Sequence, residues 1–155
     1  MDTLLYVKAN PKSDEESSTF RVSESFIETY REYHPEDEIV ILDLYREGIK
    51  PLDENDIKDI FRPEIKKQRD HHIVKYAYQF KDSDKYVFAA PMWNFSIPSI
   101  LKAYIDYIAM AGITFRYTAN GSVGLCQGKK AIHITARGGV YTESPFVEKE
   151  MGDSY

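Results

Sequence analysis

The sequence predicts an α/β fold, a doubly wound parallel β-sheet with helices on both faces. Three observations carry that prediction. Four short β-rich apolar runs recur along the chain, and segments with helical spacing separate them in the order β-α-β-α-β-α-hairpin-β-loop. The length of 155 residues suits a single domain spanning 1–155. A composition 43% hydrophobic and 29% charged supplies an ordinary core and argues against general disorder.

The first run, Leu4-Leu5-Tyr6-Val7, enters a loop at Asn10-Pro11. From about Ser17 the spacing turns helical: Val22, Phe26, Tyr30 and Tyr33 fall on one face with Ile27 beside them, and Pro35 lies past the end. Ser17 or Ser18 caps this helix, although Ser13 with Glu16 also fits a capping box that would start it earlier. Ile39 to Leu44 is nearly all apolar, as suits a strand covered on both faces. After a turn-rich section from Gly48 to Asp53, residues 56–81 read as helix interrupted near Pro63, with Ile65, Ile73, Tyr76, Ala77 and Phe80 inward.

Tyr86 to Ala90 forms the third strand, ended by Pro91. Pro98 sits where a first helical turn tolerates it, and Ile100, Leu101, Tyr104, Ile105 and Ile108 mark the buried face that follows. Lys102 and Asp106 can pair on the outer side, and Gly112 is a stop signal. Ile113 to Tyr117 with Asn120-Gly121 reads as a hairpin, and Lys130 to Thr135 is the fourth strand.

Charge and composition exclude several function classes. A net charge of −5 and a pI near 5.4 argue against nucleic-acid binding by counterion release. No apolar run approaches the ~20 residues of a membrane span. The single cysteine, Cys126, makes neither an internal disulfide nor a multi-thiolate metal site. The N-terminus lacks the pattern of a secretory signal, and both facts point to a reducing cytoplasm. His71 and His72 are poor metal ligands, because adjacent helical residues point in different directions and no ligand spacing completes a site.

Ligands of open parallel sheets bind beyond the carboxyl ends of the strands, where this chain has three loops. In Asn10 to Thr19, a helix N-terminus with Ser17, Ser18 and Thr19 offers N–H and hydroxyl donors suited to a phosphate, and plain helix capping is the competing explanation. No Walker-type loop or Gly-x-Gly-x-x-Gly is present. In Met92 to Ile97, Met92, Trp93 and Phe95 can cradle a flat ring while Asn94 bonds its edge; the alternative is a loop that tucks its aromatics into the core. In Ala136-Arg137-Gly138-Gly139, the glycines allow close backbone approach, or else form a flexible turn.

The motifs Lys8-Ala9-Asn10-Pro11-Lys12, Ser17-Ser18-Thr19, Ala90-Pro91-Met92-Trp93-Asn94-Phe95, Leu101 to Asp106, Gly112 to Tyr117 and Ile134 to Gly139 together resemble the FMN-dependent NADH-azoreductases. These are a branch of the flavodoxin-like quinone reductases, and the resemblance spans nearly the whole chain. It implies an NADH:quinone or azo-compound oxidoreductase with a ping-pong cycle, NADH reducing FMN at N5 and the acceptor then reoxidising it. It implies that Asn10, Ser17, Ser18 and Thr19 hold the FMN phosphate, that Met92, Trp93, Asn94 and Phe95 line the isoalloxazine, and that Ala136, Arg137, Gly138 and Gly139 close over its polar edge. No side chain is assigned as acid, base or nucleophile, and no metal is expected. A homodimer is implied, with which the many exposed-looking tyrosines are compatible.

Three departures from the family pattern stand out. Trp93 replaces a common tyrosine, Ala136 replaces a common serine, and the sequence stops at Tyr155. A flavodoxin-like sheet has five strands, so the resemblance implies a domain lacking the fifth strand and last helix, with its open surface covered by a partner subunit. Two other readings compete: a flavodoxin-like electron carrier serving protein partners, and a truncated module without flavin.

Overall fold

A computed structural model of the chain describes residues 1–141 and 151; the rest of the expected 1–155 domain lies outside the described residues. Its elements are β1 (Thr3–Lys8), α1 (Ser18–Tyr33), β2 (Glu38–Asp43), α2 (Glu54–Ile60), α3 (Pro63–Lys66), α4 (Val74–Asp82), β3 (Lys85–Ala89), α5 (Ser99–Ile108), β4 (Phe115–Thr118), β5 (Gly121–Gly124) and β6 (Lys130–Ile134). Each of the four apolar runs becomes a strand of one sheet, in the order β2-β1-β3-β6 and parallel throughout.

β1 runs between β2 and β3, so its alternating side chains enter two separate cores. Leu4 and Tyr6 pack with Phe20 and Ile27 of α1, while Leu5 and Val7 pack with Tyr76 of α4 and Leu101 and Tyr104 of α5. Each such side chain contributes about 1.5–3 kcal/mol when fully buried.

The sequence reading covers β2 on both faces, but the structure places it at the sheet edge and leaves Ile41 52% exposed. An apolar run marks a strand and does not report its place in the order. The inward face of α1 also differs from the expected one. Thr19, Phe20, Ser23 and Ile27 are buried, whereas Val22 and Tyr33 face solvent. The expected stripe and the observed one are adjacent on the helix; tertiary contact with Leu4 and Tyr6 chose between them.

Residues 56–81 are not one interrupted helix but parts of three. Asp53 opens α2 with a capping box closed by Asp56, and Pro63 starts α3. The segment 67–73 is turn, so His71 and His72 are not on a helix, and their rings approach to 4.4 Å. Pro98 is the cap of α5 rather than part of its first turn. Lys102 and Asp106 pair at 2.6 Å as expected. The hairpin β4–β5 turns through Ala119 and Asn120, one residue earlier than an Asn-Gly turn would, with Gly121 paired to Thr118 at a φ of 112°.

Tyr6, Tyr76, Tyr86, Tyr104 and Tyr107 are core residues, as expected for Tyr76 and Tyr104, whereas Tyr33, Tyr45 and Tyr117 are exposed. Beside β6 lies an apolar groove of about 460 Å³ lined by Phe80, Phe88, Leu101, Ile105, Ile108 and His133. It flanks the sheet and reaches Ile97 at the end of the loop after β3. Among the described residues, no helix is long and apolar enough to cross a membrane.

Candidate functional site

Because the four strands are parallel, the loops after β1, β3 and β6 emerge at one end of the sheet, and the twelve expected site residues lie in them or, for Ser18 and Thr19, in the first turn of α1 that follows. The loops are tied by hydrogen bonds that extend the sheet pairing. Ala9 N–H donates to Ala89 O at 2.9 Å, Ala90 N–H to Ile134 O at 3.1 Å, and Met92 N–H to Ala136 O at 3.1 Å. The buried Thr19 then accepts at Oγ1 from Ala136 N–H at 3.2 Å. Thr19, Ala136 and Met92 thus join the helix N-terminus to both other loops.

Ser17 is the cap of α1, its Oγ accepting from Phe20 N–H at 3.1 Å. Asn10 is buried and engaged within its own loop: Nδ2 donates to Ser17 Oγ at 2.9 Å and Oδ1 accepts from Lys12 N–H at 3.2 Å. Ser13 and Glu16 make the expected side-chain contacts at 3.3 and 3.4 Å, but these close a turn ahead of the helix instead of starting it. Among the described residues, the N–H groups of Ser18 and Thr19 meet no acceptor. A helix leaves these first amides unpaired, and its dipole makes them attractive to an anion.

The loop after β3 is a tight turn. Trp93 and Ser96 exchange backbone hydrogen bonds at 2.9 and 3.0 Å, which forces Asn94 and Phe95 to φ values of 50° and 64°. Asparagine visits the left-handed region readily, whereas a bulky phenylalanine there is strained by roughly 1 kcal/mol or more. Such strain collects at functional sites. Trp93 is 40% exposed, so the loop does not tuck all its aromatics into the core; Phe95 is half-buried and meets Tyr141 edge-on at 5.8 Å.

In the third loop a Cβ added at Gly138 would meet nothing within 4 Å, and one at Gly139 only the Tyr141 ring at 3.7 Å. The chain's own packing does not demand these glycines, and the space they leave lies at the same sheet edge. Two unpaired helix amides, an exposed indole and an uncrowded glycine loop form a donor set that fits a phosphate attached to a flat ring.

One residue escaped the sequence reading. Lys8 ends β1 with its side chain buried, its ammonium bonded to Asp14 and, at 2.7 Å, to Glu24, and 4.4 Å from the centre of the Phe20 ring. Burial works against its charge, but the bonds to the two carboxylates outweigh that and raise its pKa above the ordinary lysine value. In the sequence it closes an apolar run and opens the motif Lys8-Ala9-Asn10-Pro11-Lys12, with no role assigned to it.

The profile of the Flavodoxin-like fold family matches residues 2–153. An FMN-dependent NADH:quinone oxidoreductase of Caldicellulosiruptor bescii is 60% identical over all 155 residues, which cover 77% of that protein. An azoreductase from Bacillus anthracis has a TM-score of 0.89 at 40% identity, with 100% of this chain and 78% of that one aligned. An FMN-dependent NADH-azoreductase of the same organism, solved in complex with FMN, has a TM-score of 0.88 at 32% identity, again over 100% and 78%.

Proposed function

The chain belongs to the flavodoxin-like fold family, and on that premise we propose that it is an FMN-dependent oxidoreductase passing electrons from NADH to a quinone or azo compound. The observation that carries this reading is the hydrogen-bond path from Thr19 through Ala136 to Met92, which sets three ligand-type loops as one unit beside two unpaired amides.

In this reading Ser18 and Thr19 bind the phosphate through their N–H groups, and the α1 dipole favours its negative charge. Ser17 and Asn10 hold the helix start in place, with the Ser17 hydroxyl proton available to the same anion. The Trp93-to-Ser96 turn presents Trp93, Asn94 and Phe95 along the ring, and the loop Ala136 to Gly139 closes over its polar edge, where Gly138 and Gly139 leave room for close approach. When bound, FMN supplies the redox chemistry, accepting hydride from NADH and passing the electrons to the second substrate. The protein binds and orients; no side chain is given an acid, base or nucleophile role. Donor and acceptor share one entrance above the loops, so the kinetics are ping-pong. A homodimer closes that entrance, drawing on exposed aromatics such as Phe61 and Tyr117.

The test is flavin retention followed by turnover. After incubation with excess FMN and desalting, absorbance should show close to one flavin per chain, and NADH oxidation should then depend on an added quinone. A chain that retains flavin but leaves NADH unoxidised is an electron carrier, and a colourless chain removes the cofactor from the reading.

A further inference from the structure

The buried cation beneath the first loop has no part in the binding scheme above, and its geometry assigns it one. Lys8 leaves β1 just before the loop; Asp14 lies within that loop, three residues before the cap Ser17; Glu24 lies on α1. Lys8 bonds both carboxylates, and Glu24 Oε1 also accepts from the Tyr6 hydroxyl at 3.0 Å, which meets Ser23 Oγ at 2.6 Å. Strand, loop and helix therefore converge on one ammonium group. The loop is closed over it by Ser17 N–H donating to Ser13 O at 3.1 Å.

Without Lys8, Asp14 in the loop before the helix and Glu24 within α1 would stand close together with their charges uncompensated. Each would repel the other and an anion at the start of α1. We propose that Lys8 is a positioning residue for the FMN phosphate: by holding Asp14 to Glu24 it fixes loop 10–17, and with it the direction of the Ser18 and Thr19 N–H groups. This rests on the FMN reading and adds a residue that would touch no part of the flavin.

The test compares FMN with riboflavin, which has the same ring and no phosphate, by fluorescence titration of wild type, Lys8→Met and Lys8→Arg. Lys8→Met should weaken FMN by roughly tenfold to a hundredfold, the range of one charge-assisted hydrogen bond, and leave riboflavin unchanged. Lys8→Arg should recover part of the loss. Equal weakening of both flavins would reduce Lys8 to a packing residue and overturn the proposal. Amide hydrogen exchange without flavin gives a second readout: Lys8→Met should speed exchange at Ser17 and Phe20 and leave β3 unchanged. Unaltered exchange there also overturns the proposal, whereas a wild type that binds neither flavin overturns the cofactor reading and leaves the exchange result to decide the role of Lys8. Should Lys8→Met fail to fold, Asp14→Asn keeps the Lys8–Glu24 pair and should show the same preference for losing FMN, at smaller size.

Discussion

The two ends of the sheet are built from similar materials and finished differently. At the amino ends of the strands, Lys85 meets Asp2 at 2.8 Å and Asp37 at 3.0 Å, and donates to the Tyr30 hydroxyl at 2.8 Å. Asp37 accepts further bonds from Asp2 N–H and Tyr30, and Asp84 accepts from Thr3 N–H. Lys85, Asp2, Asp37 and Asp84 are partnered there, beside a polar cleft that Lys129 and Lys130 also line. At the carboxyl ends the Lys8 cluster is equally well paired, yet it supports amides left unpaired, a turn strained at Phe95 and glycines with open space above them. Protein interiors rarely leave polar groups unused. The unpaired amides and open glycines are the reason the carboxyl end is the proposed binding end.

The contrast can be broken most severely at Phe20, which is 1% exposed beneath Lys8. Phe20→Ala should cost about 3–5 kcal/mol in urea unfolding. It should also abolish flavin retention, because the first loop loses its floor.

Thr19→Val tests the tie between loops with little change of shape. It strands the Ala136 N–H and should cost about 1–3 kcal/mol. FMN affinity should fall with it, and an unchanged affinity would show that the third loop is placed by other contacts.

The smallest effect belongs to the amino end. Hydrogen bonds from Asp2 N–H first, then the Tyr30 hydroxyl and the Lys85 ammonium, hold the Asp37 carboxyl well below the usual carboxylate range. A depressed acid stabilises the fold fully above its unfolded pKa, near ~4, and that contribution is lost as pH falls through the folded value. Asp37→Asn should therefore lie below wild type in stability at neutral pH, and the gap should narrow on acidification below about pH 4. Flavin affinity should not respond, since the substitution lies at the opposite end.

The sheet and its loops were legible because apolar runs, Pro91, Pro98 and the serines at the start of α1 are local signals. What stayed hidden depends on convergence in space. Lys8 meets partners six and sixteen residues away, and spacing alone does not bring them to one point. The Ala136 tie to Thr19 was hidden for the same reason. The place of β2 at an edge, the exposed Val22 and the turn at His71-His72 were misread because a one-dimensional pattern reports which residues are apolar, not which neighbour covers them. Asn94 did carry a usable sign, since asparagine tolerates the left-handed backbone this turn requires.

Thr19 and Ala136 are separated by 117 positions in the chain. Closing so long a loop costs chain entropy, and the pairing of β3 with β1 and with β6 brings its ends together. A partly synthesised polypeptide lacking β6 has the helix amides but not the Ala136 tie to Thr19, so at the proposed site cofactor uptake would report a sheet assembled through its fourth strand. By mass action, a ligand gripping all three loops at a hundred times its Kd would stabilise the assembled state by about 2.7 kcal/mol. Supply of the cofactor would thus act on the lifetime of the fold as well as on its activity.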